Sequence, residues 1–348
     1  MKPFTLSLLA ALFTTAAAAQ SQWRIGAGYA PMIGLKTEFS GFGNFQNPFP
    51  VPAPAGHTDY RYLNGSVLVD ASGNFGDVTS YWAYNNASQI DLAAFGGAGA
   101  VNFDTLADSM TQAGKVDDSS VAAAGSFELF GYREFGAVSI PAAAGRRSAW
   151  GLRIGFQHTR VDQTNGDSLG ASMTTITDSF NLDHVIPPAA PFTGAFLGGF
   201  GDPLLGDTPT RKLGTTTATI TGSRRLEVQL NITQIGSYIE IPVAKYLDLM
   251  LEGGFLVGVA SGTYDFTTTV TVPGAGSQTS SGHTTRNRLL PGLYTGLGLT
   301  CNITPSFGLQ ASARYQFMRQ FDLTANGSKA SLNFDSAFVL GFSAIWRF

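Results

Sequence analysis

The C-terminal segment of the chain alternates between large apolar side chains and smaller or polar ones. Read backwards, one set consists of Phe348, Trp346, Ala344, Phe342, Leu340 and Phe338, and the other of Arg347, Ile345, Ser343, Gly341, Val339 and Ala337. Successive side chains of a β-strand point to opposite faces, so one face of this strand is apolar over about 11 residues. That length and alternation are typical of a strand that crosses a membrane.

Four other segments show the same alternation, namely residues 23–29, 150–156, 226–232 and 307–317. In the second of them Trp150, Leu152, Ile154 and Phe156 share one face. We expect these apolar faces to point towards lipid. A water-soluble β-sandwich also alternates and is the rival fold, but the large aromatic side chains on the apolar faces favour a barrel in a membrane.

Composition agrees with a chain of many strands and turns. Charged residues make up 13% of the 348 residues, about half the usual fraction for soluble domains, and 42 residues are glycine. A net charge of −3 and the absence of long basic runs argue against a nucleic-acid partner. Cys301 is the only cysteine, which excludes a disulfide within the chain.

The N-terminus has the three-part pattern of a secretory signal peptide. A basic start at Lys2 precedes a mostly apolar run at 4–13, and small residues end at Ala19, where we place the cleavage. The run is shorter than the roughly 20 residues that span a bilayer as a helix, so a membrane anchor is the weaker interpretation. We predict a signal peptide over 1–19 and a single exported domain over 20–348.

The strand pattern predicts an all-β, antiparallel, up-and-down transmembrane barrel. We expect eight strands, near 23–38, 120–138, 148–165, 214–243, 247–268, 285–301, 306–324 and 330–348. Segments 58–70 and 172–183 could add further strands, so a barrel of ten or twelve strands is the alternative. Short turns are expected at 141–147, 244–247 and 302–306, and long surface loops near 41–118, 185–212 and 271–283. Asn326-Gly327-Ser328 is the short exception among the surface connections. This asymmetry is typical of outer-membrane barrels.

With its signal peptide, alternating strands and last five residues Ala344 to Phe348, the chain resembles the small bacterial outer-membrane barrels of the OmpA, OmpX and OmpW type. The resemblance implies the bacterial outer membrane as location and its lipids as partners. It also implies that Trp346 and Phe348 form the assembly signal presented to the barrel-insertion machinery. It implies no ligand, so an extracellular partner stays unknown.

Charged residues at inward positions predict a network inside the barrel. On a consistent register these are Arg24, Arg153, Glu240, Glu252, Arg288, Arg314 and Arg347. Side chains just fill the interior of an eight-stranded barrel, and charges buried there must pair. We favour a structural network that fills the lumen, which predicts a structural or surface-exposed role. The alternative is a gated polar path, as in a narrow channel or a barrel that transports small solutes.

Catalysis and metal binding have weaker support. Barrel lipases and deacylases resemble one another in a His-x-Ser pattern, which none of His57, His158, His184 and His283 provides. We therefore predict no enzyme, with a lipid-modifying enzyme as the least favoured alternative. Asp70, Asn74 and Asp77 offer oxygen ligands without the spacing of a calcium-binding loop, so neither a metal nor a cofactor is expected.

Aromatic residues cluster in the first long loop, at Tyr60, Tyr62, Tyr81, Trp82 and Tyr84. They can form a contact surface for sugar or protein, or a small core that folds the loop over the barrel mouth. We favour the core.

Overall fold

The computed structural model describes residues 23–43, 45–47, 59–68, 76–107, 115–118, 124–138, 140, 146–194 and 203–348. The predicted signal peptide lies outside the described residues. Eight antiparallel strands close into a ring: β1 (Trp23–Tyr29), β2 (Ser126–Val138), β3 (Ser148–Asn165), β4 (Thr210–Ala244), β5 (Leu247–Val272), β6 (Gly276–Asn302), β7 (Phe307–Met318) and β8 (Ala337–Arg347). Their order is β3-β2-β1-β8-β7-β6-β5-β4, and pairing of β4 with β3 closes the ring. The predicted eight-stranded barrel is confirmed.

The stagger of the ring follows from its register. Trp23 of β1 is opposite Arg133, and from there directly paired residues can be followed strand by strand to Phe338 of β8. Phe338 is in turn opposite Ile33, which follows β1 in the chain. One circuit of the ring that starts at Trp23 therefore returns ten residues later, at Ile33. Ten residues of about 3.3 Å against eight strand spacings of about 4.8 Å give a strand tilt of about 40°.

An apolar belt surrounds the outside of the ring. On β5 the outward positions run from Leu247 to Val259 and are apolar apart from Gly253, and Phe255 is 68% exposed. From Ser261 to Thr271 the outward positions of β5 are all polar. At a tilt of about 40°, the span from Leu247 to Val259 rises about 30 Å, which equals the thickness of a bilayer's hydrocarbon core.

The terminal strand β8 contributes to this belt as its alternation predicts. Phe338, Leu340, Phe342 and Trp346 are exposed on the outside of the ring, whereas Val339 and Ile345 are buried inside it. No helix among the described residues has the length and apolar character needed to span a bilayer.

Above the belt the barrel continues as a two-layered structure. One layer consists of the extended ends of β4, β5 and β6. The other is a four-stranded sheet of Lys115–Asp118, Lys36–Ser40, Ser328–Asn333 and Phe321–Ala325. A large apolar core fills the space between the layers and includes Phe39, Tyr264 and Phe321. The apolar face of residues 226–232 was expected to point towards lipid, but it belongs to this interior. Asn231 of β4 is opposite Val259 at the top of the belt, so the residues of β4 that precede Asn231 lie above the belt, where the inside of the wall is apolar.

A lateral wing extends one side of the upper wall. Strand Leu169–Asn181 continues the line of β3 along β4 in an unchanged register, since Asn165 is opposite Arg224 and Leu169 is opposite Ile220. Strands Ala100–Leu106 and Ile90–Asp91 follow it in the same sheet. The remaining elements are strands Met32–Ile33, Tyr60–Tyr62, Gly65–Val67, Val78–Thr79, Trp82–Tyr84, Phe192–Thr193 and Leu205–Gly206, the 3-10 turn Ala87–Gln89 and the short helix Ala94–Gly97.

The aromatic residues of the first long loop form the core of this wing. Tyr60, Tyr62, Tyr81, Trp82 and Tyr84 are all buried, most of them in one apolar cluster together with residues of the wing sheet. The predicted loop near 41–118 therefore contains packed strands. Burial and the neighbouring Asp178 carboxylate raise the pKa of Tyr62, whose hydroxyl donates a hydrogen bond of 2.8 Å to that carboxylate.

Several predicted strand bounds were wrong, each because of a local turn. The predicted strands 306–324 and 330–348 are each divided in two, at 319–320 and at 334–336. The short connection predicted at Asn326-Gly327-Ser328 is the turn of a hairpin, with φ of 45° at Asn326 and 82° at Gly327, and this hairpin folds into the second layer. The predicted loop at 271–283 is a tight turn at 273–275 between β5 and β6. The predicted strand 23–38 ends at Tyr29, and the chain then enters the upper interior.

Two leucines on β4 test the upper core. Leu226 is 0% exposed within the core, whereas Leu213 is 67% exposed on the same strand. We expect Leu226→Ala to lower the free energy of unfolding by about 2–5 kcal/mol, because the cavity is lined by other buried side chains. Leu213→Ala should change it by less than about 0.5 kcal/mol. Urea unfolding of the refolded protein measures both, and equal effects would contradict the inward assignment of Leu226.

Candidate functional site in the barrel interior

Four charged residues meet in the lower interior of the ring, at the level of the apolar belt. Glu128 of β2, Arg153 of β3, Glu252 of β5 and Arg314 of β7 are all buried. Arg153 Nε lies 3.0 Å from Glu252 Oε2, and its Nη2 lies 3.7 Å from Glu128 Oε2. Arg314 contacts Glu128 through Nη2, and its Nε lies 3.8 Å from Glu252 Oε1. Each carboxylate therefore contacts both guanidinium groups, and the charges alternate around a closed four-residue cluster.

Glycines at neighbouring inward positions provide the room for these long side chains. A Cβ atom at Gly155 would lie 2.8 Å from Arg153 Nη1, and one at Gly341 would lie 2.8 Å from Glu128 Oε1. A Cβ atom at Gly296 would lie 2.5 Å from Arg314 Cγ. Some of the glycines in these strands are therefore needed because any side chain at their positions would collide with the charged cluster.

Neutral polar side chains surround the cluster. Ser343 Oγ donates to Glu128 Oε1 at 2.9 Å, and Tyr132 Oη donates to Glu252 Oε2 at 3.3 Å. Arg153 Nη1 donates to Gln234 Oε1 at 2.5 Å. One level higher, Gln157 and Gln316 are joined by a hydrogen bond of 2.9 Å. Above these glutamines begins the apolar core of the upper structure.

A second group of charges lies nearer the end of the barrel where β1 begins and β8 ends. Arg24 contacts Glu240 and donates a 2.9 Å hydrogen bond to Tyr238 Oη. Asp248 is buried and lies 2.7 Å from Arg146 Nη1, a residue that precedes β3. Asn302 Nδ2 donates to Asp248 at 2.6 Å, and Arg347 Nη2 lies 3.8 Å from the same carboxylate.

The structure places most of the expected lumen residues in these two groups. Arg153, Glu252 and Arg314 belong to the four-residue cluster, and Arg24 and Glu240 to the second group. Arg288 does not join either: it is opposite Ala260, above the belt, and forms no ion pair with any residue that the structure describes. Arg288 does occupy an inward position of β6, as the sequence suggested. At its height, however, the interior consists of the apolar core and not of the polar residues that fill the ring at belt level.

Sequence reasoning missed Glu128, Asp248 and Arg146. Glu128 had a usable signal, because it lies between Phe127 and Leu129, which point outwards, and an alternating strand must then turn Glu128 inwards. Asp248 lies in the same way between Leu247 and Leu249. Arg146 lies outside any strand, so alternation could not assign it to the interior.

The two residues of the expected assembly signal lie on the outside of the barrel, at the end where β8 finishes. Trp346 is 43% exposed and Phe348 is 78% exposed. The backbone N–H of Phe348 donates to the carbonyl of Trp23 at 3.1 Å, so the last residue still takes part in closing β8 against β1.

The described histidines lie away from the interior. His158 Nδ1 is 2.8 Å from Asn231 Oδ1, and His283 Nδ1 is 2.5 Å from Asp265 Oδ1, both on the outer face. No serine or threonine hydroxyl within the described part hydrogen-bonds to His283. His57, Asp70 and Asn74 fall outside the described residues, and no group of three or more potential metal ligands occurs among the residues described.

Comparisons with known proteins give no family. No family model matches the chain, and no curated protein matches it in sequence. Among solved structures, the attachment invasion locus protein Ail of Yersinia pestis is 12% identical, with 95% of this chain and 100% of that chain covered and a TM-score of 0.29. The outer-membrane protease OmpT of Escherichia coli is 12% identical, with 95% and 98% covered and a TM-score of 0.32. Likenesses this low carry no argument about function.

The pairing inside the cluster can be tested by removing one carboxylate. We expect Glu128→Gln to lower the free energy of unfolding by about 3–5 kcal/mol, because it leaves the buried charge of Arg314 without its closest partner. The double variant Glu128→Gln with Arg314→Met should be more stable than the single variant, since no lone charge remains. Arg160→Gln, at an exposed ion pair with Glu227, is the control and should change stability little. Additive effects of Glu128→Gln and Arg314→Met would contradict the pairing.

Proposed function

We propose that the protein is an integral barrel of the bacterial outer membrane with a structural or surface-presenting role and a lumen that does not conduct. The observation that carries the proposal is the buried, charge-balanced cluster of Glu128, Arg153, Glu252 and Arg314 at the level of the apolar belt. In this account the ring anchors the chain in the outer membrane, and the upper layers and the wing are what it presents outside.

The belt supports insertion into a bilayer. Outward side chains on β6 and β8, such as Leu293, Leu297 and Phe342, are large, apolar and exposed. An apolar surface of this extent on a monomer marks contact with a membrane or a partner. Its height of about 30 Å and its continuation around a closed ring favour lipid. The predicted signal peptide and the C-terminal Trp346 and Phe348 agree with export and with insertion by the barrel-insertion machinery.

The interior supports a filled lumen. An eight-stranded ring leaves just enough room for side chains, and here arginines, tyrosines and glutamines from opposite strands occupy it. Aromatic contacts add to the packing, since Tyr132 lies against both Phe130 and Tyr238. Above them, the apolar core separates the polar interior from the outer mouth.

A narrow channel is the second candidate, and one observation favours it. Arg153 Nε, Arg314 Nε and Glu252 Oε1 are buried and form no hydrogen bond with the residues that the structure describes, although their ion-pair partners are near. Buried polar atoms without partners are sites where water can bind. A chain of waters through these groups would be the start of a conducting path.

Electrical recording separates the two candidates. We expect purified, refolded protein in planar bilayers to show no steady openings, and Glu252→Gln to remain silent because the neighbouring arginines and Tyr132 still fill the lumen. Steady openings of the unmodified protein would contradict the proposal in favour of a channel. Silent wild type with a conducting Glu252→Gln variant would show that the cluster is a gate.

A further inference from the structure

Strand β6 has an unpaired edge above the belt. Its pairing with β7 ends where Gly292 is opposite Met318, but β6 itself extends to Gly276. Over residues 276–291 its ladder partner among the described residues is β5 alone. A strand edge with free N–H and C=O groups is a template for pairing with another chain.

Two contacts show which residues of β6 turn their backbone groups towards this edge. The N–H of Asn302 donates to the carbonyl of Tyr246 on the β5 side, so even-numbered residues bond to β5. Asn326 Nδ2 donates a hydrogen bond of 2.6 Å to the carbonyl of Ser281 from the side of β6 that faces away from β5. The backbone N–H and C=O groups of odd-numbered residues therefore point towards the unpaired edge. Pro291, which has no N–H, is odd-numbered, and a proline in a strand is tolerated on such an edge.

The edge that remains available runs from His283 to Leu289. The Ser281 carbonyl is already bonded to Asn326, and Pro291 lacks a donor. On the edge side of His283, Thr285, Asn287 and Leu289, the described part of the chain provides no strand partner for the backbone groups. Leu289 is opposite Val259 and is the last outward apolar residue of β6, so it marks the upper limit of the belt, and the edge from Asn287 to His283 lies above the belt. Its accessibility from outside the cell therefore rests on the proposed insertion in the outer membrane.

Three arginines lie near the edge of β6. Arg286 and Arg288 alternate with the edge residues on β6, and Arg319 directly follows the end of β7. None of them forms an ion pair with a residue in the described ranges. Side chains two positions apart lie on one face of a strand, so an added strand would place its alternate side chains beside Arg286 and Arg288.

We propose that this edge binds an extended polypeptide segment that carries carboxylates at alternate positions. Backbone hydrogen bonds to His283, Thr285 and Asn287 would provide affinity, and the arginines would select the acidic face. The partner is thus identified by charge complementarity and by its extended form. Inward-pointing charges can also protect an edge from pairing with any other chain. The experiment therefore has to distinguish arginines that bind an acidic strand from arginines that keep the edge unpaired.

The test uses the full-length protein refolded in lipid nanodiscs and two fluorescein-labelled decapeptides. One alternates Glu with Thr and the other Lys with Thr. Fluorescence anisotropy should show binding of the Glu peptide and much weaker binding of the Lys peptide. We expect Arg286→Gln with Arg288→Gln to reduce affinity for the Glu peptide by roughly tenfold or more, the scale at which loss of close charge pairs changes binding.

A backbone variant tests the strand addition itself. Thr285→Pro removes an edge N–H and no hydrogen bond to β5, and it should also reduce affinity for the Glu peptide. Arg160→Gln, an exposed arginine of β3, should leave affinity unchanged. Absent binding, equal binding of both peptides, or an affinity insensitive to Thr285→Pro would overturn the proposal, as would self-association through this edge that the Glu peptide does not displace. A conducting protein that still binds the Glu peptide would overturn only the proposed function.

Discussion

Closure of the ring is the constraint on which the rest of the structure depends. Inside hydrocarbon every backbone N–H and C=O must find a partner within the protein, and a closed ring of strands achieves this without an edge. The pairing of β4 with β3 and of β8 with β1 closes this ring. Above the belt water can satisfy backbone groups, and there the strands separate. The line of β3 continues into the wing, and β6 extends beyond β7, with β5 as its one ladder partner among the described residues.

Closure also determines what the interior must contain. Eight strands with a stagger of ten residues enclose a space that side chains fill, so every inward position at belt level packs against residues from opposite strands. Long charged residues fit there when glycines make room and when each charge has a partner, as Arg153 and Glu252 do. The same strands have an apolar inside above the belt, as at Leu226, because their outside is then in contact with water.

Alternation in the sequence predicted the strands and their two faces, but it could not say which face is outside. Phe342 and Leu230 both belong to alternating apolar faces, and one points outwards while the other is buried in the core. The difference depends on the height of each residue relative to the belt, and that height is set by the stagger of the ring. Arg288 was wrongly assigned to the polar lumen because alternation shows that it points inwards but does not show that it lies above the belt. Glu128 could have been predicted from the sequence. The turn at Asn326 was predicted, but the placement of its two strands in the second layer depends on what they pack against.

Mapping the environment of β5 in a bilayer is the most direct test of whether the barrel spans a membrane. Single cysteines from Leu249 to Thr271, introduced after Cys301→Ser, would carry a nitroxide spin label, and its accessibility to oxygen and to a water-soluble nickel complex would be measured. We predict that outward positions up to Val259 are accessible to oxygen and outward positions from Ser261 to the nickel complex. Even-numbered positions should be shielded from both. Access of the nickel complex to Phe255 and Val257 would contradict insertion of the barrel in a membrane.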